Sequence, residues 1–250
     1  MGMFRILLTF CISSLLIACR GNTAVDFDTN AAGTAQELFD LAQSLQDRKR
    51  YQDAADVFAE VERQYPLDPL AIESQFSRAL SYYQGQYYAD AIVAFDRFLI
   101  FNSGHPKEIR AVYLRARSYY DEIPDVFRDQ GVTRQAQTAL TELIQAYPDT
   151  QEARDAEAKL VLVRDQLAGH NMVIGRTYQG QNRYLAAQNR FKTVVEDYPT
   201  TSQVPEAFFR LVETSLALGL GAEARRYGAT LGHNFPSNIW YHRAYALLNS

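Results

Sequence analysis

Five dipeptides ending in proline punctuate this chain. Tyr65-Pro66, His105-Pro106, Tyr147-Pro148, Tyr198-Pro199 and Phe235-Pro236 recur with proline-to-proline intervals of 40, 42, 51 and 37 residues. Proline lacks the N–H a helix interior needs, so each dipeptide marks a helix end. In four cases an alanine sits twelve residues before the proline: Ala54, Ala136, Ala187 and Ala224. Between the marks, apolar residues return at three and four spacing. Leu38, Leu41, Ala42 and Leu45 form one stripe, and Ala54, Ala55, Phe58 and Val61 the next, with polar Asp47-Arg48-Lys49-Arg50 between them. Two amphipathic helices joined by a short turn make an antiparallel pair. One such pair cannot bury its own apolar face, but a stack of them can share one continuous core. The expected fold is therefore all-α, a solenoid of about five helix pairs.

Composition agrees. Hydrophobic residues are 47%, enough for a packed core, while 13 glycines and 8 prolines are few for a turn-dense β fold. The net charge of -4 disfavours a nucleic-acid partner, which would call for a basic excess. The two cysteines, Cys11 and Cys19, both lie in the first twenty residues, so no disulfide or Cys-rich metal site is expected in the body.

The first residues, MGMFRILLTFCISSLLIAC, carry Arg5 and then an uncharged run from Ile6 to Ala18. Thirteen such residues are short for a membrane span and suit the apolar region of a signal peptide. Leu16-Ile17-Ala18-Cys19 resembles the bacterial lipobox. That resemblance implies a signal peptide at 1–18, cleavage before Cys19 and acylation of its thiol. Arg20, rather than aspartate, follows the cysteine, which implies the periplasmic face of the outer membrane. Residues 19–33 have no helical period and read as a lipidated tether. The folded body is expected from Thr34.

The repeats resemble the tetratricopeptide family. Ala35 to Asp68 places Leu38, Leu41, Ala42, Leu45, Ala54, Phe58, Val61 and Pro66 at that pattern's key positions. The unit ending at Pro199 matches through Gly175, Tyr178, Ala187, Phe191 and Val194. In the second unit Pro106 comes three residues late. The third is stretched by an insertion around Glu122 to Val132, and the fifth has Gly228 where a bulky residue belongs. A longer helix, roughly Gln151 to Gly180, is expected to link the N-terminal repeats (34–150) to the C-terminal ones (151–250).

Catalytic signatures are missing. None of His105, His170, His233 and His242 has a second ligand one helical turn away, and no nucleophile elbow or phosphate loop is present. We expect no enzyme activity, metal or cofactor, and a loop-capping or surface role for His105. Helical-repeat surfaces bind polypeptides. By the family pattern the positions facing a client-peptide groove include Phe39, Gln43 and Gln46 in the first unit, and Glu73, Phe76, Leu80 and Tyr83 in the second. Tyr82 and Tyr87 are expected to pack between helices. Tyrosine is amphipathic, which suits such a groove.

The whole body, in order after the lipobox, resembles the BamD family of outer-membrane assembly lipoproteins. Gln64-Tyr65-Pro66, Asp96-Arg97-Phe98-Leu99 with His105-Pro106, Tyr147-Pro148-Asp149-Thr150, Val163-Arg164-Asp165-Gln166-Leu167-Ala168, and Ala187-Gln188-Asn189-Arg190 with Glu196-Asp197-Tyr198-Pro199 carry the resemblance. The insertion near Glu122 is shorter than in many members, and Arg176-Thr177-Tyr178-Gln179-Gly180 is less aromatic. The resemblance implies that the N-terminal repeats receive unfolded outer-membrane proteins. It implies that the C-terminal repeats dock the POTRA domain of a BamA-like insertase through Asn189 and Arg190, beside accessory lipoproteins. The rival readings are another periplasmic repeat lipoprotein, such as a pilus-secretin pilotin, and a wall-active enzyme, for which no catalytic domain remains.

Overall fold

A computed structural model describes residues 33–249; the signal segment, Cys19 and the tether up to residue 32 lie outside the described residues. Eleven helices are described: α1 (Ala35–Asp47), α2 (Tyr51–Gln64), α3 (Pro69–Gln84), α4 (Tyr88–Phe101), α5 (Glu108–Asp121), α6 (Gly131–Ala146), α7 (Gln151–Gly180), α8 (Tyr184–Asp197), α9 (Val204–Ala217), α10 (Gly221–Asn234) and α11 (Ile239–Leu248). The first ten form five antiparallel pairs, as the periodicity requires. The eleventh packs on α9 and α10 and closes the stack.

Five of the helix starts have a local cause. Thr34 and Glu37 form a reciprocal capping box on α1, so two otherwise orphan N–H groups are satisfied. Asp68, Thr150 and Asn238 cap α3, α7 and α11 through side-chain oxygens. Pro69 and Pro205 occupy the first turns of α3 and α9, where a missing N–H costs nothing.

The turn inside a pair repeats almost unchanged. Lys49, Gln86, Asn182 and Gly219 all take a left-handed backbone, with φ of 60°, 62°, 58° and 74°. Each donates its N–H three residues back, and the next residue donates five back, as in Lys49 N to Gln46 O and Arg50 N to Leu45 O, both 2.9 Å. This is the Schellman closure of a helix C-terminus. The third pair departs from it. Residues 122–130 form a longer loop, held by buried Gln130, whose Nε2 donates to the Asp125 and Arg128 carbonyls at 3.0 and 2.9 Å. The loop docks on α7, with Gln166 Nε2 donating to the Pro124 carbonyl at 3.1 Å and His170 Nδ1 lying 2.7 Å from the Val126 carbonyl.

The core also repeats. Ala54, Phe58 and Val61 on α2 are sealed from solvent, as are Ala91, Phe95 and Phe98 on α4, Ala136, Leu140 and Leu143 on α6, and Ala187, Phe191 and Val194 on α8. The alanine lets helices approach, and the two larger residues fill the gap beside it. On α7, Gly175 provides that approach, since a Cβ there would lie 2.4 Å from the Phe191 ring. On α10 the middle residue is Gly228. In the second pair, Asn102 occupies the helix-ending place held elsewhere by Tyr65, Tyr147, Tyr198 and Phe235. His105 comes three residues later in the loop before α5, its Nδ1 accepting from the N–H of Lys107, the N-cap residue of α5, at 3.2 Å.

The long helix α7 belongs to two cores. Leu160, Val163 and Leu167 pack with α3 to α6, whereas Ala168 and Met172 pack with α8 and α9. Tyr198 touches both clusters.

Candidate partner-binding interface

The first helices of the pairs, α1, α3, α5, α7 and α9, are stitched side to side by polar contacts. Gln46 reaches Gln84 at 2.7 Å. Lys107 pairs with Glu73, and the Tyr83 hydroxyl donates to Asp121 at 2.9 Å. The Tyr113 hydroxyl donates to Asp155 at 2.8 Å and accepts from Arg117 at 3.2 Å. Arg176 meets Glu206, and Gln179 meets Glu213, each at 3.1 Å.

The expected groove residues separate on this face. Phe39 and Phe76 are core residues, 9% and 6% exposed. Phe39 meets Phe58 edge-on, and Phe76 meets Phe95 and Phe98 the same way. Neither presents a ring to a ligand, because their positions point between the helices of their own pair. Leu80 is half-buried against the same core, and Gln43 is exposed. Tyr82 is buried as expected of a packing residue, whereas Tyr87 is 45% exposed and covers Gly85. Tyr83 stays at the surface of this face. Burial and then the bond to Asp121 push its hydroxyl well above the ordinary tyrosine range. The Arg117 guanidinium lies 6.0 Å from its ring.

Two more residues, Arg117 and Tyr120, share this face, while Tyr113 beside them is a core residue, 5% exposed. Tyr113, Arg117 and Tyr120 lie 37 residues after Phe76, Leu80 and Tyr83, and extending the repeat register one unit would have found them. Arg78 stacks at 5.7 Å on Tyr82, Arg110 at 5.2 Å on Tyr113, and Lys159 at 5.4 Å on Tyr120. The α3–α5–α7 surface thus presents half-buried Tyr83 and Tyr120 among paired charges, with Tyr82 and Tyr113 beneath it in the core. Such a surface suits a peptide carrying aromatic rings and a carboxylate.

The second candidate lies on α8. Asn189 and Arg190 are both exposed, on the turn between buried Ala187 and Phe191. Arg190 Nη1 donates to Asn171 Oδ1 at 3.3 Å. Asn171, on α7, is itself held by a 3.0 Å bond from its Nδ2 to the Leu167 carbonyl. The bond ties the Arg190 guanidinium to α7, at the seam between α7 and α8, while the residue stays exposed. Sequence spacing gave no sign of Asn171, which lies 19 residues away. Cys19 lies outside the described residues. Among the described residues no helix is long and apolar enough to cross a membrane.

Residues 31–231 match the YfiO family model, described as outer membrane lipoprotein. A Caulobacter vibrioides protein, outer membrane protein assembly factor BamD, is 46% identical over 212 residues, covering 85% of this chain and 70% of its own length. The chain belongs to the BamD family. A Rickettsia prowazekii BamD is 36% identical, with 85% of each chain covered. The tetratricopeptide domain of P58(IPK) aligns over 85% of this chain and 55% of its own, at 16% identity and a TM-score of 0.44. The BamD match takes in α1 to α9 and most of α10, so both candidate surfaces fall inside it.

Proposed function

We propose that this chain is an outer membrane protein assembly factor that works as a scaffold rather than as an enzyme. The observation that carries the reading is Arg190, exposed on α8 and bonded to Asn171, in a chain 46% identical to a BamD over most of its length. Acylation of Cys19 anchors the body at the periplasmic face of the outer membrane. The C-terminal repeats dock a POTRA domain of a BamA-like insertase through Asn189 and Arg190. A guanidinium can hold a partner carboxylate with two parallel bonds, and charge reversal there turns attraction into repulsion. The α3–α5–α7 face, with Tyr83, Arg117 and Tyr120, receives the unfolded client. One solenoid then holds client and insertase together, and α7 keeps the two surfaces in register because it belongs to both cores.

The test is binding of the full chain to the insertase's isolated POTRA domains. Arg190→Glu is expected to weaken binding by about tenfold or more while the helical circular dichroism stays unchanged. Wild-type affinity in that variant would overturn the docking assignment.

A further inference from the structure

The repeat register exposes an anomaly at one edge of the stack. Each second helix carries a sealed alanine: Ala54, Ala91, Ala136, Ala187 and Ala224. Nine and ten residues beyond it, four of the pairs place Arg63-Gln64, Gln145-Ala146, Glu196-Asp197 and His233-Asn234. The second pair alone places Ile100-Phe101, which are 73% and 72% exposed. Val93, two turns earlier on the same face of α4 as Ile100, is 69% exposed. Thirteen residues beyond the alanine the other four pairs have Gly104, Asp149, Thr200 and Ser237, but the first has Leu67, 98% exposed. Packing does not ask for these side chains, since the same positions are small or polar elsewhere in the fold.

The odd residues share an edge. Arg97 on α4 pairs with Glu62 on α2, so these two helices end side by side. Asn102, ending α4, donates to Gln75 near the start of α3 at 2.8 Å. The same edge receives the N-terminal segment, because the Tyr65 hydroxyl donates to the Gly33 carbonyl. Cys19 lies 14 residues before Gly33. Even fully extended, that stretch reaches only ~45 Å. The exposed apolar residues therefore stand where the anchoring segment joins the body, within tether length of the acylated residue.

The geometry points to a lipid-contacting edge: Leu67, Val93, Ile100 and Phe101 seat the N-terminal repeats against the phospholipid surface to which Cys19 is tethered. This rests on the anchoring reading above. Large exposed apolar side chains in a cluster mark a contact surface. A shallow apolar insertion adds to an acyl anchor, and a tether confines the body to the surface that the insertion needs. The edge would fix how the solenoid is turned, presenting α5 to α10 away from the lipid.

The test uses the full lipidated chain in vesicles of phosphatidylethanolamine and phosphatidylglycerol with brominated acyl chains. Cleavage removes Cys11 and acylation blocks Cys19, so an added cysteine is the single site for a fluorophore. Ile100→Cys is compared with Glu196→Cys, its register equivalent on α8, and Leu67→Cys serves as a second reporter at a position that packs against nothing. Quenching at positions 100 and 67 is expected to exceed that at 196 by about twofold or more. Equal quenching in vesicle-bound protein overturns the edge and leaves the anchor intact. An unacylated Cys19 by mass, with no vesicle association, overturns the anchoring itself. A label shielded from lipid but crosslinked to protein overturns the edge in favour of a protein partner.

Discussion

Leu248, in the last turn of α11, fills the space that Gly228 leaves on α10. A Cβ on Gly228 would come within 2.5 Å of Leu248 Cδ1. The weak fifth repeat is therefore a seat for the terminal helix rather than a decayed unit. A solenoid needs such a closing element because its last pair would otherwise expose its apolar face.

Two glycines with close contacts should respond differently. At Gly228 an added methyl meets only the end of a flexible leucine, which can rotate. At Gly175 it meets the sealed ring of Phe191 at 2.4 Å. Gly175→Ala is expected to cost about 1–3 kcal/mol in urea unfolding despite alanine's better helix propensity. Gly228→Ala should cost less, and the reverse order would contradict the packing described.

The left-handed turns give a paired prediction. Gly219 at φ 74° suffers no steric penalty, whereas Gln86 at φ 62° carries a Cβ in the same conformation. Gly219→Ala should lose about 1 kcal/mol, and Gln86→Gly should be neutral or gain a few tenths. Thermal midpoints of the two variants report both.

The groove assignment separates core from surface. Phe76→Ala removes a ring packed on Phe95 and Phe98 and is expected to cost about 3–5 kcal/mol of stability. Tyr83→Ala with Arg117→Ala removes half-buried side chains and their bonds to Asp121 and Tyr113 rather than a sealed ring. It should cost about 1–2 kcal/mol of unfolding free energy, less than Phe76→Ala. It should also weaken binding of a client C-terminal peptide about fivefold or more. Full peptide affinity would remove that face from client capture.

The junction of α5 and α7 should loosen in acid. Burial pushes the Asp155 carboxyl up, but hydrogen bonds from Lys159 and Tyr113 outweigh it and hold the group below its ordinary value. A depressed carboxylate adds stability above its unfolded pKa, and that stability is lost as pH falls through the folded value. Protection factors of the amides in 151–160, corrected for intrinsic exchange, are expected to fall as the pH drops below about 4. Asp155→Asn should show the lower protection already at neutral pH and little further change on acidification.

Much of this was legible in the sequence because repeats print the same signal several times. The bounds of α7, the first-turn places of Pro69 and Pro205, and the helix pairs follow from period and punctuation. Depth did not follow. The spacing placed Phe39 and Phe76 on the right helices, but one helical step separates a groove position from the seam between paired helices. The left-handed Lys49 and Gln86 carry no compositional mark, because neither residue type favours that backbone. The docking of the 122–130 loop on Gln166 and His170 joins residues more than forty apart, and no local pattern encodes that. Asn171 behind Arg190 was hidden for the same reason.

The most direct test of the central claim is affinity purification of the tagged, lipidated chain from mild-detergent membranes, with its partners identified by mass spectrometry. A POTRA-bearing barrel insertase recovered in near-equal amount, and lost with Arg190→Glu, is the predicted result. Recovery of a secretin or a wall enzyme in its place would contradict the assembly role and leave only the solenoid standing.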